Sequence, residues 1–451
     1  MANGNTKSVI VIGGGVAGLN VVYELMKSKT SFDITCITKE KQTDYSTCGM
    51  PYVLEGVVES FDDIILHKPE FFSEKNVKIL KSTEVINIDF ENQSVDINES
   101  DSENDQLKYD YLVIATGRIS FIPPIPGVDL EGVHSLMNYE DGERLQSVMD
   151  GIKHAVIIGG GLIGLEMAVA FTENKIDTTV VEVTPSILPA MLDIDMGKLV
   201  VDWLEKKNIK LLTNKKVTQI KGITSVESVI LEDNSELPAE LVLLSTGIRP
   251  NVELAKKVGL DIGTAGGIVT NNNQQVFRSG RSIDNVFALG DCVETQNLIT
   301  NQPIISALAS TAIMQVRTII SVIQNKPVEM HGTVNPSITN LGGLHVGSVG
   351  VTSHTAERAE IPFKNATSMG KSQSRYIPGW SNVYFKFLAS GNRIIGAQII
   401  GEKDVKERIN ALTLAIRENI SIETLLHTER CYTPPLALLT DPMFKALKQL
   451  I

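Results

Sequence analysis

Cys48 sits in the stretch "DYSTCGMPY" (Asp44–Tyr52), flanked by small polar residues on one side and a Gly-Met-Pro turn on the other. Ser46 or Thr47 can cap a helix that opens at Cys48. A thiol at a helix N-terminus has a depressed pKa and is a thiolate at neutral pH, the form that sulfur exchange requires. The other three cysteines read differently. Cys36 lies inside an apolar strand pattern and is expected to be a small buried hydrophobe. Cys292 directly follows Asp291 and is expected to pack near a bound cofactor. Cys431 adjoins Tyr432; a buried structural thiol is the preferred reading, a resolving thiol the other. The four show no paired spacing, so neither a disulfide framework nor a zinc site is expected.

Two glycine clusters offer a second kind of chemistry. Gly13, Gly15 and Gly18 follow the β-branched run "SVIVI" and open a helical pattern; Gly159, Gly161 and Gly164 repeat this after "HAVII". In such a G-x-G-x-x-G turn the first glycine makes the bend, and the second lets backbone N–H groups approach a pyrophosphate. The third lets helix and strand pack closely, and the helix N-terminus adds partial positive charge. One copy is weak; two copies in strand-turn-helix settings predict two bound dinucleotides. Two dinucleotides in one chain imply a flavin and a nicotinamide, hence electron transfer between them. The second strand of each unit should end on a residue that bonds ribose. In the second unit this is Glu182, 23 positions after Gly159. A carboxylate there accepts from a free 2′-hydroxyl and repels a 2′-phosphate, which favours NADH over NADPH. In the first unit the position holds Thr38, followed by Lys39 and Glu40. Glu40 is carried either as the ribose ligand or as a solvated turn acid. Asp291, ending "FALGD", can bond a ribityl hydroxyl or cap a following helix.

These elements need several domains, as the 451 residues suggest. The apolar runs are too short for a membrane span. Lys and Arg number 41 against 53 Asp and Glu, a net charge of −12, which argues against a nucleic-acid or anionic-membrane partner. No charged-then-apolar leader opens the sequence, so a soluble cytoplasmic protein is expected. "YDYLVIATGR" and "AELVLLSTGIRP" are strands ending in Thr-Gly turns, and the Pro-rich Phe121–Asp129 reads as the link between two βαβ units. From about Lys326 alternating strands and the spaced apolar residues of "VKERINALTLAIREN" indicate a separate α+β domain.

The order of GGGVAG, Cys48 in "STCGMPY", "LVIATGR", GGGLIG, "STGIRPN" and "VFALGDC" resembles the pyridine nucleotide-disulfide oxidoreductase superfamily. It is most similar to its single-cysteine branch of coenzyme A-disulfide reductases, NADH oxidases and persulfide or polysulfide reductases. The resemblance implies an α/β chain with two Rossmann-like domains, for FAD (residues 1–120 and 246–325) and NAD (121–245), and a dimerisation domain (326–451). It implies FAD on Gly13, Gly15, Val16, Ala17, Gly18, Lys39, Glu40, Thr47, Ala115, Thr116, Gly117, Arg118, Gly290, Asp291 and Ala307. It likewise implies NAD on Gly159, Gly161, Leu162, Ile163, Gly164, Glu166, Glu182, Thr246 and Gly247. Two-cysteine members carry Cys-x-x-x-x-Cys; here the position five after Cys48 is Val53, so the redox partner of Cys48 comes from outside the motif.

Within the branch, oxidases and peroxidases usually carry a histidine in the first glycine loop, where this chain has Val16. "CYTPP" and "RYIPG" are similar to segments of coenzyme A-disulfide reductases in which a tyrosine of the second subunit faces the active cysteine. This carries over to Tyr432 and Tyr376 and implies a homodimer with active sites completed across the interface. Thr47 stands where those reductases typically have Asn, and the first helix offers only Lys27 and Lys29 for the phosphates of a coenzyme. His427 lacks the His-Pro context of the two-cysteine relatives and reads as a surface or packing histidine. The expected activity is reduction of a disulfide, persulfide or polysulfide through Cys48. The alternatives are an NADH oxidase or peroxidase acting on dioxygen or peroxide, and a non-catalytic NADH-sensing flavoprotein.

Overall fold

The computed structural model describes residues 6–75, 77–99 and 105–451. Its first sheet has the order Gln275–Arg278, Arg281–Ala288, Tyr111–Ile114, Lys7–Ile12, Phe32–Ile37, Val77–Leu80. All pairs are parallel except the first two strands, which are antiparallel. Lys7–Ile12 is central and its last four residues are buried, as a strand covered on both faces must be. The chain runs outward from it to Phe32–Ile37 and then returns to its other side at Tyr111–Ile114. The crevice at the C-terminal end of Lys7–Ile12 is therefore a topological switch point, where open α/β sheets bind ligands.

The second sheet repeats this plan. His154–Ile158 lies between Asp177–Val181 and Leu241–Leu244, with Lys210–Leu212 and Val133–His134 at the edges, all parallel. The return of residues 275–288 to the first sheet makes the second unit an insertion between two parts of the first. The third sheet is antiparallel, in the order Ser337–Leu341, Leu344–Gly350, Arg393–Gly401, Asn382–Ser390, Lys364–Lys371. Helix Val405–Arg417 covers it, burying Val405, Ile409 and Leu412 against Phe385, Phe387 and Ile399. The α/β class with a C-terminal α+β domain is as the sequence indicates. Two small antiparallel sheets, spanning Thr83–Lys108 and Val217–Pro238, are additions that the pattern does not announce.

Both glycine turns are tight for the expected reason. Gly13 and Gly159 have φ of +119° and +117°, a region that favours glycine. A Cβ on Gly18 would lie 2.0 Å from the Gly13 carbonyl oxygen, and one on Gly164 would lie 2.1 Å from that of Gly159. Helices Val16–Met26 and Leu162–Glu173 consequently press directly on the strand ends.

One apolar core joins the units around the cysteine. Met50, Val53 and Leu54 of the helix Met50–Glu55 pack with Leu165, Phe171, Leu341 and Leu344. A polar lock adds to it. The buried Lys386 of the third sheet lies 2.9 Å from Asp193 and 2.6 Å from Asp195 of the second unit. Ser353 donates to Asp193 from both its backbone N (2.8 Å) and its hydroxyl (2.7 Å). Burial alone would raise the Asp193 carboxyl, but the bonds from Ser353 and Lys386 hold it below its ordinary value.

Lys386→Ala leaves Asp193 buried without its cation, and a loss of about 3–5 kcal/mol is expected, read as a lowered thermal midpoint. An unchanged midpoint would mean that the lock contributes nothing. Gly164→Ala forces the helix off the strand at a cost of about 1–3 kcal/mol. Calorimetric titration with NADH should show binding weakened by roughly tenfold or more, while flavin content stays at the wild-type level.

Candidate active site

The glycine turns deliver two helix N-termini to two crevices. Gly15 and Gly161 are the N-caps; neither helix has a side-chain cap or an acid in its first turn. Nothing lies within 4 Å of a Cβ built on Gly15 or on Gly161. Val16, Ala17, Leu162 and Ile163 thus begin helices whose free N–H groups face open space, the setting that suits a pyrophosphate. Gly290 (φ +79°) brings the end of the Arg281–Ala288 strand to this loop, with its Cβ position 2.9 Å from the Cβ of Ala17. From the other side, the Gly13 Cβ position meets the Ala115 carbonyl oxygen at 2.1 Å. The donor set and the open cradles fit a dinucleotide in each unit.

The segments that cross between the two units are fastened together. Arg118–Ser120 pairs antiparallel with Ile248–Pro250. Thr116 donates to the Asn251 carbonyl at 2.7 Å and Thr246 to that of Phe121 at 2.6 Å. Gly117 (φ +69°) and Gly247 (φ +107°) make the turns. Ala307, with φ +51°, precedes helix Ala309–Ile323. That helix has Leu308 at its N-cap, so Asp291 does not cap it. Asp291 instead holds Arg118, whose Nη1 donates to Oδ2 at 2.6 Å.

The strand-end positions expected to meet a ribose differ between the two units. Glu182 is buried, and its Oε2 accepts from Gly160 N and its Oε1 from Thr184 N, both at 2.7 Å. The carboxylate is thereby held at the glycine turn. In the first unit Thr38 occupies the matching place, packed against the position of a Gly14 Cβ at 3.1 Å. Glu40 accepts from the Tyr45 hydroxyl at 2.8 Å. Burial raises the Glu40 carboxyl, so it is not a solvated turn acid. Lys39 is exposed and paired with Glu84 at 2.6 Å.

Cys48 lies in the 3₁₀ turn Thr47–Gly49, which runs into helix Met50–Glu55. The expected cap is absent: Ser46 is the N-cap residue of this turn but makes no side-chain bond to it. The expected depressed thiol is also corrected. The sulfur is open to solvent on one side, yet protein crowds the others, and burial pushes the thiol up. Glu166 adds like charge, Arg118 opposes it and Asp291 reinforces it. A single turn followed by a six-residue helix offers too little dipole to outweigh these effects.

Three groups around Cys48 escaped the sequence reading. Asp44 is 2% exposed with φ +60°. Its carboxylate accepts from the Tyr23 hydroxyl and lies 3.0 Å from His67 Nδ1, which anchors the start of the cysteine loop. Tyr52, one helical turn beyond Cys48, is raised by burial and by the charges of Glu166, Glu55 and Cys48. The spacing of four was the available signal. Thr339 of the third sheet donates to Glu166 at 2.6 Å, a contact between remote segments that no local pattern reveals.

The remaining cysteines divide. Cys36 is buried as expected, and burial pushes it up to about 12; Cys292 is buried as well. Cys431 is exposed, against the preferred reading of a buried thiol. Tyr376 and Tyr432 are also exposed, at 72% and 46%, on loops joined by a bond from Ser374 N to the Pro434 carbonyl at 3.1 Å. Neither is among the groups whose charge acts on Cys48 within the chain. His427 is at the surface, with Nδ1 2.8 Å from the Glu423 carbonyl oxygen. Among the described residues no helix is long and apolar enough to cross a membrane.

Residues 7–317 match the family model for pyridine nucleotide-disulphide oxidoreductases, and residues 339–441 match that for their dimerisation domain. An NADH oxidase of Methanocaldococcus jannaschii is 37% identical over 438 residues, 96% of each chain. An NAD(P)H coenzyme A polysulfide/persulfide reductase of Pyrococcus horikoshii is 30% identical over 448 residues, 98% of each. A solved NAD-dependent persulfide reductase from A. fulgidus superposes with a TM-score of 0.94 at 32% identity, covering 98% of this chain and 82% of that one. With two open dinucleotide cradles around one accessible cysteine, the chain belongs to the pyridine nucleotide-disulphide oxidoreductase family and is an NAD(P)H-linked oxidoreductase.

Proposed function

We propose that this protein uses NADH and FAD to reduce a sulfur–sulfur bond, in a disulfide, persulfide or polysulfide, through Cys48. The observation that carries the reading is the position of Cys48: solvent-accessible, unpaired, and followed five residues later by the buried Val53. With no second thiol in the motif, the sulfur that exchanges with Cys48 arrives with the substrate.

When bound, FAD supplies the relay that carries an electron pair from reduced nicotinamide to sulfur. The chain's own residues do the rest. Gly13–Gly18 and Gly159–Gly164 hold the two pyrophosphates on helix N-termini, and Glu182 takes the ribose of NADH. Cys48 Sγ, deprotonated, attacks one sulfur of R–S–S–R′. The Sγ–S bond forms, the S–S bond breaks, and R′S⁻ departs with the electron pair and takes up a proton. The pair from NADH then cleaves the Cys48 mixed disulfide, releasing RSH and returning Cys48. Overall, NADH, a proton and RSSR′ give NAD⁺, RSH and R′SH. The dimerisation-domain match supports a homodimer. In it the exposed Tyr376 and Tyr432 face the partner's cysteine, where a phenol can donate to a leaving thiolate.

In strict anaerobiosis, wild-type protein should oxidise NADH with coenzyme A disulfide, polysulfide or a small disulfide, and Cys48→Ser should lose about 10³-fold or more of that rate. Full turnover by the serine variant would overturn the sulfur mechanism. Rapid NADH loss only after air is admitted would favour dioxygen as acceptor, a reading in keeping with the name NADH oxidase of the M. jannaschii relative. For the nicotinamide, Glu182→Gln should lower the NADH:NADPH ratio of kcat/KM by roughly tenfold or more, since both a charge-assisted bond and a repulsion are lost. An unchanged ratio would remove Glu182 from cofactor selection.

A further inference from the structure

Asp44 opens the cysteine segment with φ of +60°, a conformation that glycine or asparagine enters more easily. Such strain persists only where the surroundings enforce it. Here the side chain is the anchor. The buried carboxylate accepts from the Tyr23 hydroxyl at Oδ1 and lies 3.0 Å from His67 Nδ1 at Oδ2. The Tyr23 hydroxyl and His67 Nδ1 are 3.1 Å apart, so the three groups close a ring of polar contacts. Burial and the Asp44 bond raise the Tyr23 hydroxyl, which stays protonated as a donor. The His67 ring is stacked on Phe71, with centroids 4.1 Å apart.

The partners come from different parts of the first unit. Tyr23 lies on helix Val16–Met26, whose first turn forms the first dinucleotide cradle. His67 ends a segment that runs antiparallel to the start of the cysteine loop. There Leu66 N donates to Asp44 O at 2.7 Å, Ser46 N donates to Ile64 O at 2.9 Å, and Tyr45 pairs with Ile65. Gly49 extends this contact past the sulfur, since a Cβ there would lie 2.7 Å from Ile64 Cγ2. Cys48 is thus pinned on either side in sequence by the 64–66 segment, and Asp44 ties that segment to the cradle helix.

We propose that Asp44, with Tyr23 and His67, is a positioning element that fixes Cys48 relative to the flavin cradle. A carboxylate suits the place because it accepts on both oxygens at once, and its burial makes the loss of either partner costly. The clasp belongs to the sulfur side of the reaction, where the electron pair passes to the Cys48 mixed disulfide, and not to the nicotinamide side. This role rests on the sulfur chemistry proposed above; the clasp itself does not.

The test compares Asp44→Gly, Tyr23→Phe and Asp44→Asn in flavin-loaded protein. Glycine accepts φ of +60° but removes the carboxylate, so it separates the clasp from the backbone turn. Asparagine tolerates this conformation and keeps hydrogen-bonding groups, and serves as the conservative control. Amide exchange in peptides covering 44–52 and 61–67 should quicken by about tenfold or more in Asp44→Gly, and by less in Tyr23→Phe. Under anaerobiosis, reduction of the flavin by NADH should stay within about twofold of wild type in both. Reoxidation by coenzyme A disulfide or polysulfide should slow by about tenfold or more in Asp44→Gly, and Asp44→Asn should recover most of it. A general folding defect would slow both half-reactions, so equal slowing of the two overturns the proposal. Wild-type exchange in both Asp44→Gly and Tyr23→Phe overturns the clasp. Quickened exchange with undiminished reoxidation overturns the positioning role. A wild-type protein inert toward every sulfur acceptor would instead fell the sulfur reading, and amide exchange would still decide the clasp.

Discussion

The carbonyl oxygens of Gly13 and Gly159 each sit about 2 Å from where the next helix's glycine would carry a Cβ, and the site is arranged around that contact. Because no side chain fits there, the helix axis meets the strand end directly and its free N–H groups point into the crevice. The same crowding acts from the neighbouring strand. Gly13 faces the Ala115 carbonyl and Gly159 that of Ser245, at 2.1 and 2.3 Å from their Cβ positions. The turn after Ala115 is therefore fixed against the first glycine loop. Arg118, three residues on, is carried to the side where Gly290 and Asp291 arrive from a strand far along the chain. The ion pair beside Cys48 follows from backbone packing that begins at two glycines.

What the sequence disclosed and what it withheld divide by range. The glycine turns, the strand-end carboxylate of Glu182 beside its turn, and the absence of a second cysteine near Cys48 are local patterns with one structural solution each. The strands of the small sheets within 83–108 and 217–238 are short, and register shifts between Val85 and Asn87 and between Val217 and Gln219 break their alternation. The fate of Glu40 is another matter. Two positions past the strand end it is free to turn toward Tyr45, and only the folded arrangement of that tyrosine decides it. Thr38 then stands at the strand end without a carboxylate, an asymmetry between the two units that their shared motif conceals.

The acidity of Cys48 shows why motif reasoning fails at this kind of site. A helix N-terminus argues for a low pKa, and the cysteine does precede a helix. The helix has six residues after one 3₁₀ turn, whereas the neighbouring carboxylates of Glu166 and Asp291 act across a partly buried space. Burial of the thiol first, and the Glu166 and Asp291 charges after it, outweigh Arg118 and a short dipole. The sequence places Glu166 more than a hundred residues from Cys48, so nothing local couples them.

The third domain also fastens the second unit. Thr339 reaches Glu166, Lys386 grips Asp193 and Asp195, and the Trp203 indole donates to the Leu341 carbonyl at 3.0 Å. The C-terminal sheet thus holds the second unit, Glu166 included, in place. Asp44, bonded to Tyr23 and beside His67, anchors the start of the cysteine loop in the first unit. A chain whose reactive sulfur is set by charges from separate units requires those units to be rigid with respect to one another. The buried ion pair and the continuous apolar core through Met50, Leu165 and Leu341 supply that rigidity.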